Sequence, residues 1–193
     1  MEDFYTIQGE GFYQGSAAYF IRLGGCKVRC VWCDVKDSWD EAAHAKVGVS
    51  QLVEKAKSSG SKIVVITGGE PTMHNLSHLT SELKKAGLRT HLETSGAYPL
   101  TGTWDWVCFS PKKFMPPHPS VAAQADELKV VIFHKSDFAW AEEFAKQVRP
   151  ICKRYLQPEW SKENDILPQL IEYVKQNPDW QISLQVHKYM NIP

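Results

Sequence analysis

The stretch KIVVITGGEPTMHNLSHLTSELKKAGLRTHLET, residues 62–94, contains the structural unit from which the fold is predicted. A nearly continuous β-branched run from Lys62 to Thr67 is typical of a buried strand. Residues 75–86 have a helical pattern that ends at Gly87, and residues 88–94 are again extended. Because a strand, a helix and a second strand follow one another, this unit favours a parallel α/β sheet.

The same alternation continues on both sides of this unit. Residues 18–23 are predicted to form the first strand, and a helix follows between an N-cap at Ser50 and a stop signal at Gly60. Further strands are predicted at 104–110, 127–133, 153–157 and 181–186, and further helices at 136–148 and 161–176. Six or seven strands with about four helices fall below the eight of each in a full barrel, so the prediction is an incomplete parallel α/β barrel.

Length, composition and charge limit the possible functions. A chain of 193 residues with 43% hydrophobic residues fits one domain, predicted to span residues 1–193. The 22 Lys and Arg residues balance 22 Asp and Glu residues, which argues against nucleic-acid and membrane partners and favours a small molecule. No apolar run approaches the roughly 20 residues that span a bilayer, and no signal peptide is recognisable, so a cytoplasmic protein is expected.

Three cysteines follow the first predicted strand and a flexible glycine pair. Cys26, Cys30 and Cys33 are separated by three and then two residues, which is too tight for a disulfide framework. A loop with this spacing can present three thiolates to three irons of a [4Fe–4S] cluster, and the fourth iron stays open to a methionine. The alternative is structural zinc, which normally takes four ligands, and no fourth ligand is obvious nearby.

Polar residues recur where the predicted strands end. In parallel α/β barrels this end of the sheet holds the active site, so we expect these residues to surround one cavity. They are Thr67 to Pro71, Glu93 to Ser95, Ser110 to Lys112, Gln157 with Pro158, and His187 with Lys188. Glu127 and Lys129, at the start of another predicted strand, are interpreted instead as part of a solvated face.

Two motifs resemble the hallmarks of the radical S-adenosylmethionine superfamily. One is the cysteine spacing with Trp32 directly before the last cysteine, and the other is the Gly-Gly-Glu-Pro sequence at 68–71. The resemblance implies that Cys26, Cys30 and Cys33 bind a [4Fe–4S] cluster. It also implies that S-adenosylmethionine contacts Trp32, Cys33, Asp34 and Gly69.

Further motifs resemble the 7-carboxy-7-deazaguanine synthase family over essentially the whole chain. They are FYTIQGEG at 4–11, Arg22, Ser-Pro-Lys at 110–112, Leu-Gln-Pro at 156–158 and His-Lys at 187–188. The family converts 6-carboxy-5,6,7,8-tetrahydropterin into 7-carboxy-7-deazaguanine with loss of ammonia, on the route to queuosine. The resemblance implies a homodimer, reduced by flavodoxin or ferredoxin, in which a 5′-deoxyadenosyl radical takes hydrogen from C6 of the pterin.

Site residues carried over from this family fall into two groups. The implied substrate contacts are Ile7, Gln8, Gly9, Glu10, Arg22, Thr67 and the carboxylate of Pro193. The implied further contacts to S-adenosylmethionine are Ser110, Pro111, Lys112, Gln157, Pro158, Glu159 and Trp160. No side chain can be named as the base for ammonia loss.

The sequence departs from the family pattern at Val35. The family usually has a threonine there, whose hydroxyl helps to bind Mg²⁺, whereas valine has no side-chain oxygen. We therefore expect a weaker response to magnesium than in relatives with threonine. The alternative functions are a glycyl-radical activating enzyme, which would act on a partner protein, and a noncatalytic metal-binding module.

Overall fold

The computed structural model describes residues 1–193, which form one eight-stranded sheet with five α-helices. The strands are β1 (Glu2–Ile7), β2 (Ala17–Leu23), β3 (Ile63–Gly68), β4 (Arg89–Thr94), β5 (Trp106–Phe109), β6 (Glu127–Ile132), β7 (Lys153–Pro158) and β8 (Trp180–Ile182). The helices are α1 (Val49–Ser58), α2 (Ser77–Lys85), α3 (Asp137–Ala145), α4 (Glu163–Gln176) and α5 (Val186–Met190). No helix has the length and apolar character needed to cross a membrane.

The order of the strands agrees with an incomplete parallel α/β barrel. Each strand lies beside the next one along the chain, and β2 to β8 are all parallel. The two end strands, β1 and β8, do not pair with each other, so the sheet is open. No α-helix connects β5 to β6, and none is predicted between residues 110 and 127.

The sheet has one strand more than the largest number predicted, because a strand precedes residues 18–23, where the first strand is predicted. Residues 2–7 form β1, which pairs antiparallel with β2. Phe4 lies opposite Phe20 in this pair, and their rings stack with centroids 5.5 Å apart. Cross-strand aromatic packing of this kind stabilises an edge strand that its own sequence predicts poorly.

The start of the first helix and the last strand differ from the predictions. Gly48 rather than Ser50 is the N-cap of α1, whereas the predicted stops at Gly60 and Gly87 both adopt the left-handed conformation that ends a helix. Pro168 lies inside α4 without ending it. The last predicted strand, 181–186, is wrong beyond Ile182, because Val186 already begins α5.

Two buried clusters fix the strands against the helices. One has 12 buried residues, including Ile66, Leu83 and Leu92, and joins β3 and β4 to α1 and α2. The other has 17 buried residues, including Leu128 and Leu156, and joins β5 to β8 with α3 and α4. Because both clusters lie between sheet and helices, the opposite face of the sheet is left to surround the candidate site.

Candidate active site

Most of the predicted strand-end residues line one cavity of about 310 Å³. It lies at the carboxyl ends of the parallel strands, where α/β barrels bind their ligands. Of the predicted site residues, the cavity is lined by Glu10, Cys26, Cys30, Trp32, Cys33, Asp34, Thr67, Gly69, Ser110, Lys112, Gln157, Pro158, Glu159 and Trp160. The structure therefore brings together residues from nearly the whole length of the chain.

The remaining predicted site residues lie elsewhere. Gln8 is buried just behind the cavity, where its side-chain amide donates to Glu93 over 3.3 Å. Ile7, Gly9, Pro111, Arg22 and Pro193 are not among the residues that line the cavity. Arg22 pairs with Glu2 over 2.8 Å and lines a separate cavity of about 370 Å³.

The end of β3 contacts the cysteine loop through backbone atoms alone. The Gly69 amide donates to the Leu23 carbonyl over 2.9 Å, and the Glu70 amide donates to the Gly25 carbonyl over 2.8 Å. A Cβ atom on Gly69 would lie only 2.3 Å from the Gly25 carbonyl oxygen. Glycine is required here because no other residue permits such a close backbone approach.

Glu70 joins the same strand end to the end of β4. Its carboxylate is buried and accepts hydrogen bonds from the Thr72 amide and hydroxyl, the Thr94 hydroxyl, and the Ser95 amide and hydroxyl. Five donors around one carboxylate fill the roughly four acceptor positions of its oxygens. Glu70 is therefore a structural anchor for the turn after β3, and its carboxylate has little capacity left to bind a ligand.

Exchange of Gly69 for alanine tests the backbone contact. The added methyl group would displace the cysteine loop, and overpacking of this kind typically costs about 1–3 kcal/mol. We expect Gly69→Ala to lower both the melting temperature and the iron content after reconstitution. Gly48→Ala is the control, because Gly48 has φ −69° and open space at the Cβ position. Wild-type iron content in Gly69→Ala would contradict this account.

The cysteine loop directs its three thiols towards the cavity. Cys26 and Cys30 are buried, Cys33 is half-buried, and the intervening Lys27, Arg29 and Val31 are exposed. The loop is held in place by the Gly25 amide, which donates to the Ser38 carbonyl over 2.7 Å. This alternation of inward thiols and outward side chains is what a cluster-binding loop requires.

The donor set fits a multi-iron cluster better than a single ion. Burial raises the pKa of Cys30 to about 11, Lys112 opposes this rise, and the neighbouring Cys33 and Cys26 add to it. The Cys30 thiolate in this cavity therefore needs a bound cation. No three His, Cys, Asp or Glu side chains converge on a point where they could hold one metal ion. A cubane takes each thiolate at a different iron, so it does not require such a point.

Lys129 lies at the floor of the cavity, and its interpretation as part of a solvated face is wrong. Its side chain is 5% exposed, and its ammonium lies 2.6 Å from Glu10 and 3.0 Å from Glu93. Burial alone would lower the pKa of Lys129, but the surrounding acidic groups raise it well above its usual range. The same acid-base contact lowers the pKa of Glu10 to about 2 despite its burial.

The sequence contained a signal for this buried lysine. Along β6, Leu128, Val130 and Ile132 pack in the core, so Glu127, Lys129 and Val131 must share the opposite face by the two-residue period of a strand. In an incomplete barrel that opposite face points into the interior. Polar residues on it are therefore candidates for the site, and the preference of charged residues for solvent misled the interpretation.

Glu127 is buried at the start of the same strand, away from the cavity. Its Oε2 accepts from the Phe12 amide over 3.2 Å and from the Trp106 indole over 3.0 Å, whereas Oε1 has no partner. Burial raises the pKa of Glu127 to about 7, partly opposed by Lys129. The carboxyl is thus protonated over part of the physiological pH range.

The pH dependence of stability tests this assignment. Because the pKa of Glu127 rises from 4.5 in the unfolded chain to about 7 in the folded chain, the folded state holds an extra proton between these values. The free energy of unfolding then falls as pH rises through this window, by at most about 3 kcal/mol. Urea unfolding at several pH values measures this effect. The free energy of unfolding of Glu127→Gln should lose most of its dependence on pH. The control Glu143→Gln, at an exposed position on α3, should keep that dependence. If the free energy of unfolding depended on pH in the same way in wild type and in Glu127→Gln, the raised pKa of Glu127 would be contradicted.

Helix α5 connects the last strand to the cysteine loop. The Lys188 ammonium lies 3.0 Å from the Asp34 carboxylate and 3.0 Å from the side-chain oxygen of Gln185. It also lies 5.0 Å from the ring centroid of Trp160. His187 and Lys188 were predicted at a strand end, but the helix places Lys188 at the cavity and packs His187 against Gly9.

The residues around position 35 do not fit a magnesium site. Val35 offers no side-chain oxygen, and the neighbouring Asp34 carboxylate is already paired with Lys188. Mg²⁺ prefers several oxygen ligands in octahedral geometry, and the protein provides no such set here.

Comparisons with known proteins agree with the geometry of the cavity. Residues 20–107 match the radical SAM superfamily. The chain is 52% identical over its full length to 7-carboxy-7-deazaguanine synthase from Flavobacterium psychrophilum, and covers 91% of that protein. It is 47% identical over 99% of its length to the synthase of that name from Synechocystis, again covering 91% of the relative. The crystal structure of QueE from Escherichia coli superimposes with a TM-score of 0.86 at 32% identity, over 96% of this chain and 92% of that one.

Proposed function

The chain belongs to the 7-carboxy-7-deazaguanine synthase family, and we infer that it is the radical S-adenosylmethionine enzyme of that name. It is a lyase that converts 6-carboxy-5,6,7,8-tetrahydropterin into 7-carboxy-7-deazaguanine with loss of ammonia, in 7-deazapurine and queuosine biosynthesis. The observation that carries this conclusion is the meeting of three thiols with Gly69 in one cavity at the carboxyl ends of the strands.

Cys26, Cys30 and Cys33 would hold the [4Fe–4S] cluster, and the residues that surround them suit its cofactor. When bound, the cluster supplies the electron that cleaves S-adenosylmethionine. Gly69 lines the cavity beside the three thiols, so its backbone is within reach of the amino group of the methionine moiety. Trp32 lies in the same cavity, with the Lys112 ammonium 5.8 Å from its ring centroid, and offers an aromatic face for adenine.

The remaining contacts to S-adenosylmethionine are proposed from two strand ends. Ser110 and Lys112 follow β5, and the Lys112 ammonium is held by the Ser110 carbonyl and hydroxyl, both at 2.6 Å. Gln157 and Pro158 end β7, Glu159 and Trp160 follow it, and all four line the cavity. Pro111 lies in the adjoining cavity that also includes Trp32, so its contact rests on the family resemblance alone.

The substrate contacts are proposed for the floor of the cavity. Glu10 and Thr67 line it directly, and Gln8 acts through its hydrogen bond to Glu93. The contacts proposed for Ile7, Gly9, Arg22 and Pro193 rest on the resemblance alone. The homodimer, the reduction by flavodoxin or ferredoxin, and the cytoplasmic location are proposed on the same basis.

A product assay under anaerobic conditions tests the function. Reconstituted protein should bind about four irons per chain. With a strong reductant, S-adenosylmethionine and the carboxypterin, it should form 7-carboxy-7-deazaguanine, and Cys30→Ala should form none. Formation of 5′-deoxyadenosine without any deazaguanine product would favour a glycyl-radical activating enzyme. Stoichiometric zinc without iron uptake would favour a noncatalytic metal-binding module.

Rates with and without a chelator test the proposal on magnesium. Because Val35 provides no oxygen ligand, the wild-type rate should change less than about twofold when Mg²⁺ is removed. Val35→Thr should gain a magnesium-dependent component, and Val35→Ala should not, which separates the effect of the hydroxyl from that of side-chain size. Strong dependence of the wild-type rate on Mg²⁺ would refute this proposal.

A further inference from the structure

Lys129 is a buried cation to which the resemblance assigns no role. It lines the floor of the cavity together with Glu10 and Glu93, on the side away from helices α3 and α4. Burial of an ammonium group costs several kcal/mol unless charged partners compensate for it. A cation in such a position therefore calls for a reason beyond the stability of the fold.

The contacts of Lys129 join three distant parts of the chain. Its ammonium lies 2.6 Å from Oε2 of Glu10, in the segment after β1, and 3.0 Å from Oε2 of Glu93, on β4. Each carboxylate has one further donor on its other oxygen. Gln185 donates to Oε1 of Glu10 over 2.8 Å, and Gln8 donates to Oε1 of Glu93 over 3.3 Å.

Both carboxylates keep acceptor capacity for a ligand. An ionised carboxylate can accept about four hydrogen bonds, and each of these two receives two from the residues named above. Glu10 and Glu93 also line the cavity, so their unused lone pairs are available to a bound molecule. Two ionised acceptors side by side suit a heterocycle edge that carries adjacent N–H donors.

Without a cation between them, the two carboxylates could not both stay ionised. Like charges a few ångströms apart in a buried site disfavour ionisation, and one acid would take up a proton. A protonated acid would donate a hydrogen bond towards the N–H edge where an acceptor is needed. Lys129 prevents this by balancing both charges at contact distance.

We propose that Lys129 is a positioning residue, which holds Glu10 and Glu93 as a pair of ionised acceptors for the aminopyrimidine edge of the substrate. The inference rests on the proposed function and deepens it, because it assigns the floor of the cavity to the N–H-rich end of the pterin. The cluster and S-adenosylmethionine then occupy the rim of the cavity, between the cysteine loop and the residues at the ends of β3, β5 and β7.

Steady-state kinetics of Lys129→Met in the cluster-loaded enzyme test the proposal. Loss of the charge balance should raise the KM for the carboxypterin at least about tenfold, equivalent to one charge-assisted hydrogen bond. Iron content and the Kd for S-adenosylmethionine should stay within twofold of wild type, because the residues proposed for those ligands lie in the cysteine loop and at the strand ends, whereas Lys129 lies within β6. A general structural defect would change all three quantities together. Lys175→Gln, at an exposed ion pair on α4, is the matched control.

A second variant covers the case in which Lys129→Met does not fold. Lys129→Met combined with Glu93→Gln removes one acid together with the cation, and it should fold while the KM stays raised. The inference is overturned if the KM for the pterin is unchanged in either folded variant, or if it changes in proportion to the Kd for S-adenosylmethionine. Wild-type enzyme that forms no deazaguanine product would overturn the proposed function itself, and this inference with it.

Discussion

Two glycines bring the end of β3 against the cysteine loop at a distance that no side chain permits. A Cβ atom on Gly69 would lie 2.3 Å from the Gly25 carbonyl oxygen, and a Cβ atom on Gly68 would lie 2.2 Å from the Leu23 carbonyl oxygen. The other features of the site depend on this contact. It sets where the first thiol lies, it leaves backbone groups exposed to a ligand, and it fixes Glu70 where it can tie β3 to β4.

The charges within the barrel are arranged around this contact in two layers. Glu70 and its five donors stabilise the rim without offering much capacity to a ligand, whereas Lys129 with Glu10 and Glu93 forms a charged floor that is open to the cavity. Helix α5 completes the enclosure, since Lys188 joins Asp34 of the cysteine loop to the C-terminal part of the chain. The cavity is thus bounded on one side by the backbone at Gly69, and at its floor by Lys129 with its two carboxylate partners.

Much of the fold and of the cysteine site could be predicted from the sequence, because the signals for them are local. The strand from Lys62 to Thr67, the helix stops at Gly60 and Gly87, and the cysteine spacing are local signals that depend on a few adjacent residues. Strand β1 was missed because its stability comes from pairing with β2. Lys129 was misjudged because a charged residue on a strand indicates solvent unless the other face is known to be the core.

Electron paramagnetic resonance of the reduced, cluster-loaded protein tests the central claim, that three thiols beside Gly69 leave one iron open to S-adenosylmethionine. The account predicts that addition of S-adenosylmethionine changes the spectrum of the reduced cluster, because its amino and carboxylate groups would bind the open iron. It also predicts that the change is lost in a variant whose loop is displaced from Gly69. A spectrum that stays the same with and without S-adenosylmethionine would contradict the account.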